Sequence, residues 1–148
     1  YNRRLTEDIA ESLFAEFEYI LEGSDNFETR YLTNKATHKL GLPLISGALS
    51  QWEGQISIFD STKEGPCYQC VFPQTPAQGL APSCAEVGVF SPLPGIIGSI
   101  MASETLKIIT GAGNVLRHEM LIYDALYGQT RRIKLVKRED CSLCCKKI

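Results

Sequence analysis

Two copies of the spacing C-x-x-C stand far apart in this chain: "CYQC", Cys67 to Cys70, and "CSLC", Cys141 to Cys144, with 70 residues between them. Four thiolates suit a tetrahedral ion such as zinc and leave no open position for water, so the spacing predicts a structural site. The gap is too long for a compact zinc ribbon. It implies that the metal pins the base of the intervening segment to the C-terminal tail. No secretory signal opens the sequence, which favours metal over disulfides. Cys145 adjoins Cys144 and offers a second register for the last ligand, and the competing reading is a set of free thiols or redox pairs.

At 148 residues the chain has the length of one domain, enough to bury roughly 70% of the surface it exposes when unfolded. With 44% hydrophobic residues, 22% charged residues and a net charge of −2, it has the composition of a soluble globular protein. The acidic balance argues against a nucleic-acid partner, which calls for a basic face. The cations near the C-terminus (Arg131, Arg132, Lys134, Lys137, Arg138, Lys146, Lys147) are expected to form a solvated strand face and tail. The longest apolar run, around Leu93 to Ala102, is broken by Pro94, Gly95 and Gly98, and falls short of the roughly 20 residues a membrane span needs. A cytoplasmic location, with no membrane contact, is the expectation. The chain opens on Tyr1 rather than Met, which suggests a fragment or a trimmed product.

Periodicity predicts an α/β domain. Residues 6–16 suit a short helix capped by Thr6, with Glu7 and Asp8 at its positive end. A strand is expected at 17–21, then a helix at 26–40 with Phe27, Tyr31, Leu32, Ala36 and Leu40 at spacings near one face and Gly41 as its stop. Strands at 43–49 and 54–60 follow. Strand, helix, strand with a short return makes the first two strands parallel. Residues 61–92, rich in Pro and Gly, are expected to form a long exposed loop, with 74–82 mobile. Residues 93–110 suit a buried helix, and 120–126 with 131–137 an antiparallel hairpin. The sum is a mixed sheet.

"EGSDNFETRYL" places Asp25 just after an apolar run and just before a helix. Asp25 and Glu28 have the spacing of a capping box. In open α/β sheets, however, ligands bind outside the carboxyl ends of parallel strands. A carboxylate there can hold magnesium, which in turn holds phosphates, and the two roles are compatible. Cys84, a lone thiol in the expected loop, is either a small buried hydrophobe or an accessible nucleophile. The chain contains no G-x-G-x-x-G, P-loop or H-E-x-x-H motif, and His38 and His118 are isolated.

Taken together and in order, "EGSDNFETRYLTNKATHKLGLPLISGALSQWEGQISIFD", "GPCYQCVFP", "CAEVGVFSPLPGIIGSIMASETLKIITG", "LIYDAL" and "CSLC" resemble the second half of the MoeB/ThiF adenylyltransferases, bacterial relatives of ubiquitin-activating enzymes. The resemblance runs from about residue 17 to residue 144. It implies a Rossmann-like α/β fold with a mixed sheet: the C-terminal half of a ubiquitin-activating-enzyme-like adenylation domain, with a structural zinc. Residues 1–148 would then be one partial adenylation domain.

The implied activity is ATP- and magnesium-dependent adenylation of the C-terminal glycine of a ubiquitin-like sulfur-carrier protein, in molybdopterin or thiamine biosynthesis. "PLISGALSQWEGQISIF" leans toward the molybdopterin type. By the same resemblance Asp25 and Asn26 match the family's Asp-Asn pair at the nucleotide site, and Cys67, Cys70, Cys141 and Cys144 match its zinc ligands. Cys84 occupies the place of a loop cysteine that in some members links covalently to the carrier or to sulfur. Family members are dimers, so a homodimer is implied. The family's N-terminal half, with its glycine-rich nucleotide loop, is not recognisable here. Two readings follow: an adenylyltransferase of which this chain carries part of the site, or a non-catalytic, zinc-stabilised carrier-binding remnant.

Overall fold

In the computed structural model, which describes residues 1–77 and 84–145 apart from the side chains of Cys84 and Ala85, β1 (Ile20–Glu22) and β2 (Leu44–Ser50) pair in parallel, Ile20 opposite Leu44 and Glu22 opposite Ser46. Helix α2 (Phe27–Leu40) makes the return between them. From β2 onward each strand is antiparallel to the last: β3 (Glu53–Phe59), β4 (Glu119–Asp124) and β5 (Gln129–Lys134). The sheet order is therefore β1-β2-β3-β4-β5, the mixed sheet expected. The cations of β5 are exposed, and two pair with acids across the sheet, Arg131 with Glu53 on β3 and Arg132 with Glu119 on β4.

Alternation along the strands sends side chains to two cores. On one face Ile20, Leu44, Phe59, Met120 and Ile122 meet Ala10 and Phe14 of α1 (Glu7–Phe14) and Ala36 of α2. On the other, Ile45, Ile56 and Ile58 meet Leu93, Ile97 and Met101 of α5 (Leu93–Thr110). Two glycines let α5 approach. A Cβ on Gly47 would collide with the Met101 sulfur, and one on Gly54 with Ile97.

Four local expectations are corrected. Thr6 holds the N-cap position of α1 without a side-chain bond to the helix backbone. Its hydroxyl instead helps hold the Asp8 carboxyl below its usual range. The first strand begins at Ile20 rather than residue 17, and Phe17 is exposed. The face that α2 buries is Arg30, Thr33, Asn34, Ala36 and Thr37, while Tyr31, Leu32 and Leu40 lie at its flanks. Some of its polar groups are bonded: Thr37 donates to the Thr33 carbonyl, and Asn34 Oδ1 accepts from the Tyr68 amide, while Asn34 Nδ2 has no partner among the described residues. Finally, α5 is not buried all round, since Leu106 is 61% and Ile109 56% exposed.

Nor is the segment at 61–92 simply a loop. It contains the short helices α3 (Tyr68–Val71) and α4 (Cys84–Val87), and Cys67, Tyr68 and Cys70 are buried. Most of the stretch expected to be mobile, 78–82, lies outside the described residues.

Candidate functional site

The carboxyl ends of β1 and β2 lie on one edge of the sheet, and the chain leaves β1 there through Gly23, Ser24 and Asp25. Asp25 is exposed, and its Oδ1 accepts a 3.3 Å hydrogen bond from Asn26 Nδ2. It does not cap α2. The cap is Asn26, extended at φ −135° and ψ 145°, whose Oδ1 accepts from the Thr29 amide at 2.8 Å. A cap must reach the third amide of its helix, and Asp25 stands one residue too early. Glu28 accordingly closes no capping box and pairs with Arg4 at 3.0 Å. The Asp25 carboxylate is thus left free of the helix end and open to solvent.

Beneath the turn lie two buried charges the sequence reading passed over. Glu22 is 5% exposed and Arg30 9%. Glu22 Oε1 accepts from the Ser24 amide at 2.6 Å and from the Ser24 hydroxyl, and its Oε2 accepts from Ser46 at 3.4 Å. Arg30 donates from Nε and Nη2 to the Ser24 carbonyl, at 3.2 and 2.8 Å. A signal for Arg30 existed: residues 30, 33, 34 and 37 have the i, i+3, i+4, i+7 spacing of one helix face, but they are polar and the apolar set drew the prediction.

The four paired cysteines converge. Their sulfurs all lie within 4.8 Å of one another, with Cys67 to Cys70 at 3.9 Å, Cys67 to Cys141 at 3.6 Å and Cys70 to Cys144 at 3.3 Å. A tetrahedral ion bound to thiolates at about 2.3 Å sets its ligands about 3.8 Å apart, so the set fits a metal. Disulfides, at about 2 Å, do not match these spacings. The Cys145 thiol donates to the Arg138 carbonyl at 2.9 Å, which leaves Cys144 as the fourth member. Each pair sits on a tight turn, with Cys70 N–H donating to Cys67 O and Cys145 N–H to Cys141 O. Gln69 joins the two turns through Ser142 at 3.0 Å.

Burial and the neighbouring Cys70 sulfur push the Cys67 thiol up to about 12. Burial, with hydrogen bonds to Cys70 and Cys141, also raises Cys144. Cys141 feels burial too, but the backbone N–H groups of Cys144 and Leu143 and the neighbouring thiols hold it at about 7. Crowded thiols resist joint ionisation, and a bound cation is what reverses that resistance.

The cysteine turn and the Asp25 turn meet across α2. The Tyr68 amide donates to Asn34 Oδ1 at 3.0 Å, and the Tyr31 hydroxyl donates to the Phe72 carbonyl at 2.9 Å. The Tyr68 ring meets Tyr31, Phe59 and Phe72. Cys84 opens α4; the role expected of its side chain falls outside what is described. His38 is half-buried on α2, and burial, seconded by the charge of Lys137, lowers its pKa. His118 is exposed and backs its ring onto Gly65.

The ThiF family model matches residues 1–144. This chain belongs to the ThiF family. A sulfur carrier protein adenylyltransferase from Thermus thermophilus is 42% identical over 148 residues, spanning 97% of this chain and 55% of that protein. The adenylyltransferase and sulfurtransferase MOCS3 of Mus musculus is 40% identical over 145 residues, covering 97% of this chain and 31% of its own length. The chain therefore spans about half, or less, of these relatives. Among solved structures, Escherichia coli MccB in complex with MccA-N7isoASN superposes with a TM-score of 0.72 at 12% identity, over 97% of this chain and 45% of MccB. PaaA gives 0.66 at 14% identity, over 89% of this chain and 46% of PaaA. At such identities the likeness speaks for the fold.

Proposed function

We propose that this ThiF-family chain takes part in adenylation of the C-terminal glycine of a ubiquitin-like sulfur-carrier protein, in molybdopterin or thiamine biosynthesis, and carries part of the active site. The observation that carries the reading is the free Asp25 carboxylate outside the carboxyl end of a parallel strand. That is where nucleotides bind in open α/β sheets. Similarity along 97% of the chain to a sulfur carrier protein adenylyltransferase supports it.

In the reaction the carrier's terminal carboxylate attacks the α-phosphorus of ATP, the bond to the β-phosphate breaks, and pyrophosphate leaves. Such chemistry asks for positioning and charge neutralisation more than for proton transfer. Magnesium, when bound, offsets the phosphate charge. Asp25 would hold it, and Asn26 would keep the helix start and the turn in register. Residues 1–148 constitute, in this reading, one partial adenylation domain lacking the glycine-rich loop.

Cys67, Cys70, Cys141 and Cys144 would bind zinc, with no ligand position open to substrate. Cys84 is the candidate for a covalent step in which its thiolate displaces AMP from the carrier's acyl adenylate to give a thioester. The protein would act in the cytoplasm as a homodimer. No helix among the described residues is long and apolar enough to cross a membrane.

The test is ATP–pyrophosphate exchange with a ubiquitin-like carrier ending in glycine. Exchange that is abolished in Asp25→Asn supports the reading. Carrier binding without exchange would favour the non-catalytic, zinc-stabilised binding module instead.

A further inference from the structure

We infer that Arg30 and Glu22 are positioning residues that clamp Ser24 through its backbone C=O and N–H and so fix the Asp25 carboxylate at the sheet edge. The functional half of this inference rests on the adenylation reading; the mechanical half stands on the geometry alone.

Glycine geometry does not set the turn. Gly23 has no left-handed φ, and a Cβ there would meet nothing within 4 Å. What holds the turn is charge. The Ser24 N–H is bound by the Glu22 carboxylate at 2.6 Å, and the Ser24 C=O by two N–H groups of Arg30, at 3.2 and 2.8 Å. With the two peptide groups that flank the Ser24 Cα each bonded to a buried charged side chain, the next residue has little freedom. That residue is Asp25, whose own side chain has, among the described residues, a single 3.3 Å bond, to Asn26.

The charges are costly where they stand. Arg30 is 9% exposed and forms no ion pair within 4 Å with a carboxylate among the described residues. Burying a guanidinium without one is unfavourable. Packing of α2 alone would be served by a leucine or methionine. The guanidinium gains instead a two-pronged grip on one carbonyl oxygen, a geometry that lysine cannot copy. Two neighbours steady it: the Phe27 ring, 5.4 Å from its central carbon, and the buried Tyr68. The Tyr68 hydroxyl finds no hydrogen-bond partner of good geometry among the described residues. It lies in the field of Arg30, which opposes the rise that burial gives its pKa. Tyr68 follows Cys67 directly, so the grip on Ser24 backs onto the cysteine turn.

Arg30→Lys, Arg30→Gln, Glu22→Gln and Asp25→Asn test the clamp in the whole chain. NMR amide exchange and backbone order parameters come first. In Arg30→Lys and Glu22→Gln the Ser24 and Asp25 amides should exchange about tenfold faster or more, with lower order parameters, while amides from residue 34 to 40 stay unchanged. Unchanged protection at Ser24 and Asp25 in both folded variants would overturn the inference. Should Arg30→Gln fail to fold, Arg30→Lys carries the test.

Pyrophosphate exchange with a carrier comes second. Arg30→Lys should lower kcat by up to about a hundredfold, as misplacement of a reacting group does, with little change in the KM for ATP. It should also need more magnesium for half-maximal rate. If Asp25→Asn is inactive while Arg30→Lys matches wild type, the positioning role is wrong and the adenylation reading stands. If Asp25→Asn is fully active, or the wild type shows no exchange, the adenylation reading falls and the amide data alone decide the clamp.

Discussion

Asn26, not Asp25, holds the start of α2, and that exchange of roles changes what each substitution should do. The Asn26 side chain satisfies the Thr29 amide, a bond typically worth about 1 kcal/mol at an N-cap. Asn26→Ala should therefore lower unfolding stability by about that amount in urea titrations. Asp25→Asn should leave stability unchanged, because among the described residues the Asp25 carboxylate bonds only its neighbour, yet abolish pyrophosphate exchange. Equal exchange rates for wild type and Asp25→Asn would remove Asp25 from the chemistry. The sequence located the junction but assigned the cap to Asp25, one residue before the Asn26 that holds it. Both are good caps in isolation. Which one caps is decided by where α2 begins, a boundary that short-range patterns place only to within a residue or two. Arg30 shares the spacing of the buried face of α2, but nothing local shows what it grips, and Glu22 on β1 has no signature until the turn after it is known.

The elements themselves were largely legible where one period dominates. β2 and β3 are short, largely buried apolar runs, and β4 alternates buried with half-buried residues. The polar stripe of α2 has the spacing of one face but does not read as buried, because the Asn34 and Thr37 side chains find their partners far away in sequence or one turn back. The glycines of β2 and β3 make a prediction at this scale. Gly47→Ala would drive a methyl group into Met101 on α5 and should cost about 1–3 kcal/mol, the usual penalty of overpacking, seen as a lower melting temperature. The cysteine turn makes another. Metal binding there must expel thiol protons, because Cys67 stays protonated up to about 12 while no cation is bound. Affinity should then rise with pH and fall on acidification. Zinc titration by calorimetry, in buffers of differing ionisation enthalpy, would read out the protons released. Chelation should loosen the Tyr68–Asn34 tie as well, so the Asn34 and Tyr68 amides should lose exchange protection together. Protection unchanged by chelation would make the metal irrelevant to α2.

At the scale of the whole molecule, α5 was expected to be wrapped on all sides and instead covers the sheet with one face only. Leu93, Ile97 and Met101 point inward, and Glu104 is anchored by the Leu116 amide and Lys107. The opposite face carries Gly95, Gly98, Ser99, Ala102, Ser103, Leu106 and Ile109, all exposed and none charged. An apolar composition all round a helix marks burial but does not say whether the cover comes from the same chain. Here the inner half is explained by the sheet. The outer half, small residues first and then two branched ones, suits close approach by another helix. The proposed homodimer would supply that cover, and the cost of leaving it off should be visible. Light scattering should give twice the chain mass at micromolar concentration. Leu106→Glu with Ile109→Glu places two like charges on the exposed face without touching the sheet core, so it should yield a folded monomer with an unchanged far-ultraviolet spectrum. A wild type that stays monomeric across the accessible concentration range would rule out the homodimer. A double variant that still dimerises would move the interface away from α5.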